Sequence, residues 1–304
     1  LTSSFYKKYI LIILLFVILS VINYFINEVF CKTPLSSVEK PNIIFISLDT
    51  LGAGHVECYG YQRDTTPNID KFAQEGVLFE NAISHSKWTL ASHITMMTSV
   101  CPSVHKVNGA DKVLDDSFIT LAEVLKEAGY YCGAFVDGGR KSWVGSSHGY
   151  NQGFNFYEHF PERFNKYEKL FIISHLSNFI HHFLHRFSIP FMHSKEISRE
   201  VTSWIKHYDK TQPFFLFVHF YDIHADTYCK LPYVSPEPYI GMFYPDYNGD
   251  FTGCRDNRCA ASYLEYMNKL LRNTDDYRSL ISDDDLKYLV SLYDGGIRYV
   301  DQYV

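Results

Sequence analysis

Apolar positions along this chain fall into short, near-continuous runs separated by stretches of helical spacing. Asn42 to Leu48, Tyr130 to Val136 and Pro213 to His219 are rich in β-branched and aromatic residues. Runs of this length and continuity predict strands covered on both faces by helices, as in a parallel sheet. Between them, Ile69, Phe72 and Ala73 are spaced for one buried face of a helix opened by Thr66 and Pro67 and closed by Gly76. Leu121, Val124, Leu125 and Ala128 predict a helix over Ser117 to Ala128, and Glu196 to Tyr208 reads as an amphipathic one. Thr89 to Thr98 is expected to open as a loop and turn helical from about Ser92, and Val77 to Ala82 to form a short strand. Strands alternating with helices give an α/β fold with a mostly parallel sheet flanked by helices.

The first thirty residues add a membrane signal. Lys7 and Lys8 precede an apolar run, and Tyr9 to Ile26 as a helix would reach about 27 Å, near the roughly 30 Å of hydrocarbon in a bilayer. No small-residue cleavage pattern precedes Cys31, so an uncleaved transmembrane helix is expected, with the remainder on the extracytoplasmic side. Residues 1–30 then form the anchor, 31–40 a linker and 41–304 the α/β domain.

Composition narrows the partners. A net charge of −6 leaves no basic footprint for nucleic acid. Cys254 and Cys259 are spaced to close a small disulfide ring, whereas Cys132 sits in an apolar run as a buried thiol. Leu170 to Phe191 carries His175, His181, His182 and His185 without carboxylate partners, which fits a partly exposed helix face better than a metal cluster.

The candidate chemistry collects at strand ends. Asp49 follows the first run, Arg140 and Lys141 follow the second, and Asp222 and His224 follow the third. In an open α/β sheet these ends share one edge, where ligands bind. Asp49 there is either a hard-metal ligand or the cap of a turn. Thr89 and Ser92 are either plain helix caps or a hydroxyl set where free N–H groups attract an anion. Together these groups are parts for binding and splitting an anionic ester.

PNIIFISLDTLGAGHVECYGY, TTPNIDKFAQEGVLFENAISHSKWTLASHITMMTSVCPSVH, FFLFVHFYDIH and LYDGGIRYVDQ, in this order, resemble the sulfatase family of the alkaline-phosphatase superfamily. The resemblance implies that Asp49 is the first of two adjacent metal-binding residues, the second being Thr50. It implies that Thr89 stands at the nucleophile, His93 at a substrate-binding position, and Lys141 and His224 at positions touching the ester oxygen and the leaving group; Arg140, a cation at the same strand end, is a further substrate-binding candidate. Thr89-Leu90-Ala91-Ser92-His93 departs from the family motif C/S-x-P-x-R at every diagnostic position. Formylglycine is therefore not expected, and the implied cofactor is a divalent ion, Ca²⁺ or Mg²⁺.

Three functions follow. The first is a metal-dependent sulfuric ester hydrolase acting on a sulfated or phosphorylated glycan or lipid. The second is a membrane-anchored phosphoryl-type transferase or phosphodiesterase using the Thr89 hydroxyl. The third is a non-catalytic sulfatase-like binding protein. The resemblance places further metal ligands on a strand after the helix holding Asp294 and Asp301. The domain is thus expected to be C-terminally incomplete, and the 304 residues alone to bind metal weakly and turn over neither ester.

Overall fold

A computed structural model describes residues 40–138, 143–160, 193–209, 211–225, 233, 235–249 and 282–304. The expected anchor over residues 9–26, the His-rich stretch, Arg140, Lys141, Cys254 and Cys259 lie outside the described residues. Among the described residues, no helix is long and apolar enough to cross a membrane.

Four strands pair in parallel: β1 (Ile43–Leu48), β2 (Tyr131–Val136), β3 (Phe156–His159) and β4 (Phe214–Phe220), in the order β1-β4-β2-β3. The helices are α1 (Pro67–Glu75), α2 (Thr89–Thr98), the single turn α3 (Pro102–His105), α4 (Leu121–Glu127), α5 (Ser194–His207) and α6 (Asp283–Asp301). The three apolar runs are strands, and the α/β expectation holds.

Strand β4 is central and buried along its whole length. Its period of two sorts the core into two layers. Phe215 and Phe217 pack with Leu90, Ile94, Cys132 and Ala134 on the α2 side. Phe214, Leu216, Val218 and Phe220 pack with Ile197, Ile297 and Val300 on the side of α5 and α6. Each fully buried side chain of this size contributes about 1.5–3 kcal/mol. Cys132 is the buried free thiol expected, 3.3 Å from the Ala122 carbonyl.

Several expectations are corrected. Strand β1 is not covered on both faces: Ile44 and Ile46 are 45% and 38% exposed, because among the described residues β1 is the sheet edge. Val77 to Ala82 is not a strand; Val77 and Phe79 lie open to solvent, and the Phe79 carbonyl takes its bond from the Tyr59 hydroxyl. The helix expected from Ser117 starts at Leu121, because Thr120 and Glu123 form a reciprocal capping box. Strand β3, a four-residue segment behind Gly153, was not foreseen.

Thr66 does occupy the cap position of α1, yet its hydroxyl turns to Asp70. The helix start is satisfied from α6 instead, where buried Asp301 accepts from the backbone N–H groups of Asn68 and Ile69 at 3.0 and 2.9 Å. Asp301→Ala would strand both donors, and we expect it to cost about 2 kcal/mol. A urea-unfolding midpoint equal to the wild type would show that α1 is capped by something else.

Candidate active site

Parallel pairing puts the carboxyl ends of all four strands on one edge. Asp49 leaves β1 with its N–H on the Phe220 carbonyl at 2.9 Å, and Asp137 leaves β2 with its N–H on the His219 carbonyl at 3.1 Å. Helix α2 starts at the same edge. Trp88 is its cap residue and supplies no side-chain bond, so the helix begins at Thr89, three residues earlier than its sequence suggested.

Thr89 does not spend its hydroxyl on capping. Its Oγ1 donates to Asp49, 3.1 Å from Oδ2 and 3.4 Å from Oδ1, and both residues are buried. A hydroxyl held by a carboxylate at the N-terminus of a ten-residue helix faces the free N–H groups and the positive dipole end.

His93 follows one turn later, on the same face as Thr89. Its Nδ1 donates to the Thr89 carbonyl at 2.8 Å, so its Nε2 accepts from the Ser47 hydroxyl, also at 2.8 Å. Burial, then the neighbouring His219, push its pKa down to about 4, and the ring is neutral. Both nitrogens are thus bonded, Nε2 joining β1 to α2 and Nδ1 bracing the first turn of α2. Tyr150 fixes the same turn from outside, its hydroxyl donating to the Leu90 carbonyl at 2.5 Å.

His219 is the residue that the sequence reading passed over. It continues the Phe215–Phe217 face of β4 towards α2, fully buried, its ring 4.8 Å from that of His93. Its Nδ1 donates to the Asp137 carbonyl, and its Nε2 lies 3.7 Å from Asp49 Oδ2. Burial pushes its pKa down to about 4. The signal was present in the sequence: an imidazole inside an apolar strand with no polar neighbour to explain it.

Behind this layer, the carboxylate of Asp137 holds His193 Nδ1 at 2.9 Å. Burial lowers the His193 pKa, but the bond and charge of Asp137 outweigh it and the net shift is upward. Asp222 accepts from the N–H groups of His193 and Ser194 and so caps α5; burial, then the Asp137 charge, raise its pKa to about 6. His224 stands in the turn after β4, its ring stacked on Tyr221 at 4.5 Å.

Thr50 follows Asp49 directly in the chain. It is exposed and left-handed, with φ of 61°, a conformation that a β-branched residue adopts only when its surroundings impose it. Tyr293 imposes it, donating to the Thr50 carbonyl at 2.6 Å and accepting from Gly52 N–H at 2.8 Å. The adjacent Asp294, fully buried, takes His55, Tyr61 and Arg63 at 2.7, 2.6 and 2.6 Å and clamps the rest of the turn.

The comparisons identify the family. The sulfatase family pattern matches residues 41–304. The chain belongs to the sulfatase family. A 100-residue stretch is 38% identical to the N-acetylgalactosamine-6-O-sulfatase of Bacteroides thetaiotaomicron, covering 31% of this chain and 20% of that protein. Over 219 residues it is 26% identical to human N-acetylgalactosamine-6-sulfatase, covering 65% of this chain and 42% of that one. The phosphonate monoester hydrolase of Agrobacterium radiobacter shares the fold with a TM-score of 0.59 and 21% identity, over 87% of this chain and 57% of that chain. The chain thus spans less than two thirds of each of these relatives.

Sulfatase-family proteins typically bind a divalent metal. Among the described residues, no three His, Cys, Asp or Glu side chains gather to hold an ion by themselves. The donors that do face one another are the Asp49 carboxylate, the Thr89 hydroxyl and His219 Nε2, which makes no hydrogen bond. A buried, unbonded nitrogen beside a carboxylate fits part of a metal shell, and in this sulfatase-family chain these are the residues that would hold one.

Of the sequence-predicted site residues, the structure brings together Asp49, Thr89 and His93, with His224 on the same edge and Thr50 exposed next to Asp49 in the chain. Arg140 and Lys141 lie outside the described residues. Because both His93 nitrogens are bonded within the protein, His93→Ala is expected to cost about 3 kcal/mol, and Ser47→Ala about 1 kcal/mol. The double variant should lose less than the sum, since the two share one bond. A His93→Ala protein of wild-type stability with weakened ester binding would instead make His93 a substrate contact.

Proposed function

We propose that this protein is a metal-dependent sulfuric ester hydrolase with Thr89 as its nucleophile. The contact between Thr89 Oγ1 and Asp49 Oδ2, 3.1 Å long at the start of α2, carries the reading. The sulfate group of the substrate sits against the first N–H groups of α2, where the helix end favours an anion. Thr89 Oγ attacks sulfur, and its proton passes to Asp49, the acceptor it already faces. The bond from sulfur to the ester oxygen breaks, and His224 supplies the proton to the departing alcohol. Water then hydrolyses the sulfated threonine, releasing sulfate and restoring the hydroxyl. Arg140 and Lys141 offset the negative charge that develops. A divalent ion at Asp49, when bound, supplies positive charge that favours the ionised hydroxyl.

The names of the two glycan-sulfatase relatives favour a sulfated sugar as substrate. The Thr89 hydroxyl itself favours a second reading, phosphoryl-type transfer, because it needs no modification to attack phosphorus. The apolar run over residues 9–26 would place either activity on the extracytoplasmic face of a membrane.

In the full-length protein, Thr89→Ala should lower aryl sulfate turnover by at least about 1,000-fold while the protein stays folded, with stability reduced by no more than the roughly 1.5–3 kcal/mol of the lost bond to Asp49. Aryl sulfate should be preferred to aryl phosphate; the reverse preference would establish the second reading. In sealed vesicles, an impermeant aryl sulfate should be consumed only when the extracytoplasmic face points outward. Full activity in Thr89→Ala would remove the threonine from the chemistry.

A further inference from the structure

We infer that His219 is a donor to a divalent ion at the Asp49–Thr89 site, and that its nitrogen makes the site one for Zn²⁺ rather than for Ca²⁺ or Mg²⁺. The inference rests on reading Asp49 and Thr89 as the reactive pair, and it adds a residue and a class of ion to that reading.

The tautomer is the first argument. His219 Nδ1 faces the Asp137 carbonyl, which can only accept, so the ring proton is on Nδ1 and Nε2 presents a lone pair. That lone pair is fully buried, makes no hydrogen bond, and lies 3.7 Å from Asp49 Oδ2. Two electron-rich atoms facing one another out of water repel unless a positive group sits between them. The second argument is how the ring is held. A histidine that binds a metal through one nitrogen commonly donates its other N–H to a backbone carbonyl, which fixes both ring orientation and tautomer. The Asp137 carbonyl at the end of β2 does this to His219.

Spacing and donor type agree. Donors each about 2.1 Å from one Zn²⁺ in a tetrahedral shell stand roughly 3.4 Å apart, close to the observed separation. Asp49 and His219 offer a carboxylate and an imidazole, both donors that zinc sites use, with the Thr89 hydroxyl beside them. Ca²⁺ and Mg²⁺ call for six or more ligands, nearly all oxygen, whereas imidazole suits zinc. The His93 ring, its own nitrogens committed to Ser47 and Thr89, closes the side of the site without competing for the ion.

The test is metal binding in the full-length protein, stripped of metal and titrated against a chromogenic chelator with no ester present. His219→Asn keeps an amide donor for the Asp137 carbonyl and removes the Nε2 lone pair. We expect His219→Asn and Asp49→Asn each to weaken Zn²⁺ binding by at least about tenfold. His219→Asn should leave Ca²⁺ binding unchanged, and the exposed control His207→Asn should alter neither. The wild-type protein alone supplies a second measurement should a variant fail to fold: X-ray absorption at the zinc edge should show the outer-shell scattering of an imidazole. Wild-type Zn²⁺ affinity in His219→Asn, or an edge spectrum with oxygen neighbours only, would overturn the assignment. Because no ester is used, the outcome is separate from whether Thr89 turns one over.

Discussion

The hydrogen bond from Thr89 to Asp49 ties this site to the architecture, because it can form only where a strand ends beside the start of a helix. Parallel pairing of β1 with β4 fixes where Asp49 emerges, and the packing of α2 against Phe215 and Phe217 fixes where Thr89 begins. A bond to a charged carboxylate is worth about 1.5–3 kcal/mol when well made. Secondary contacts hold both ends of it. Ser47 and His93 join the strand to the helix, Tyr150 steadies the first helical turn, and Tyr293 with Asp294 holds the turn that follows Asp49. The carboxylate and the hydroxyl are therefore positioned by elements whose own places are set by apolar packing.

Polar groups buried behind this pair run against the usual preference for apolar interiors. His219, Asp137, His193 and Asp222 follow one another along the carboxyl edge of the sheet, each within the reach of the next. Burial keeps His93 and His219 neutral, while Asp137 holds His193 towards its charged form. Such a row costs desolvation that apolar residues of the same size would not. Departures of this kind from the pattern of an apolar core are expected where function has claimed the position.

Much of the fold was legible because long apolar runs admit few structures. PFFLFVH read as a buried strand and is one; the spacing of Ile69, Phe72 and Ala73 marked a helix, but the face expected to be buried is not, and Phe72 is 69% exposed. Strand order was not legible, since no local pattern says that β4 inserts between β1 and β2. Val77 to Ala82 misled because apolar content without a pairing partner does not make a strand, and β3 escaped because four residues are too few to show a period. At the site, Asp49, Thr89 and His224 were readable as strand-end and helix-start chemistry. The bonding of His93 was not, because it depends on Ser47, forty-six positions away in the chain. His219 was hidden by the strand that carries it.

The central claim is that Thr89 Oγ itself becomes bonded to the group it removes. The most direct measurement is mass spectrometry of the Thr89 peptide from the full-length protein, quenched in acid during steady turnover of an aryl sulfate. The account predicts a fraction of that peptide heavier by one sulfonate group, with fragmentation placing the addition on Thr89. Steady turnover with Thr89 unlabelled, or with the label on Ser92, would contradict it.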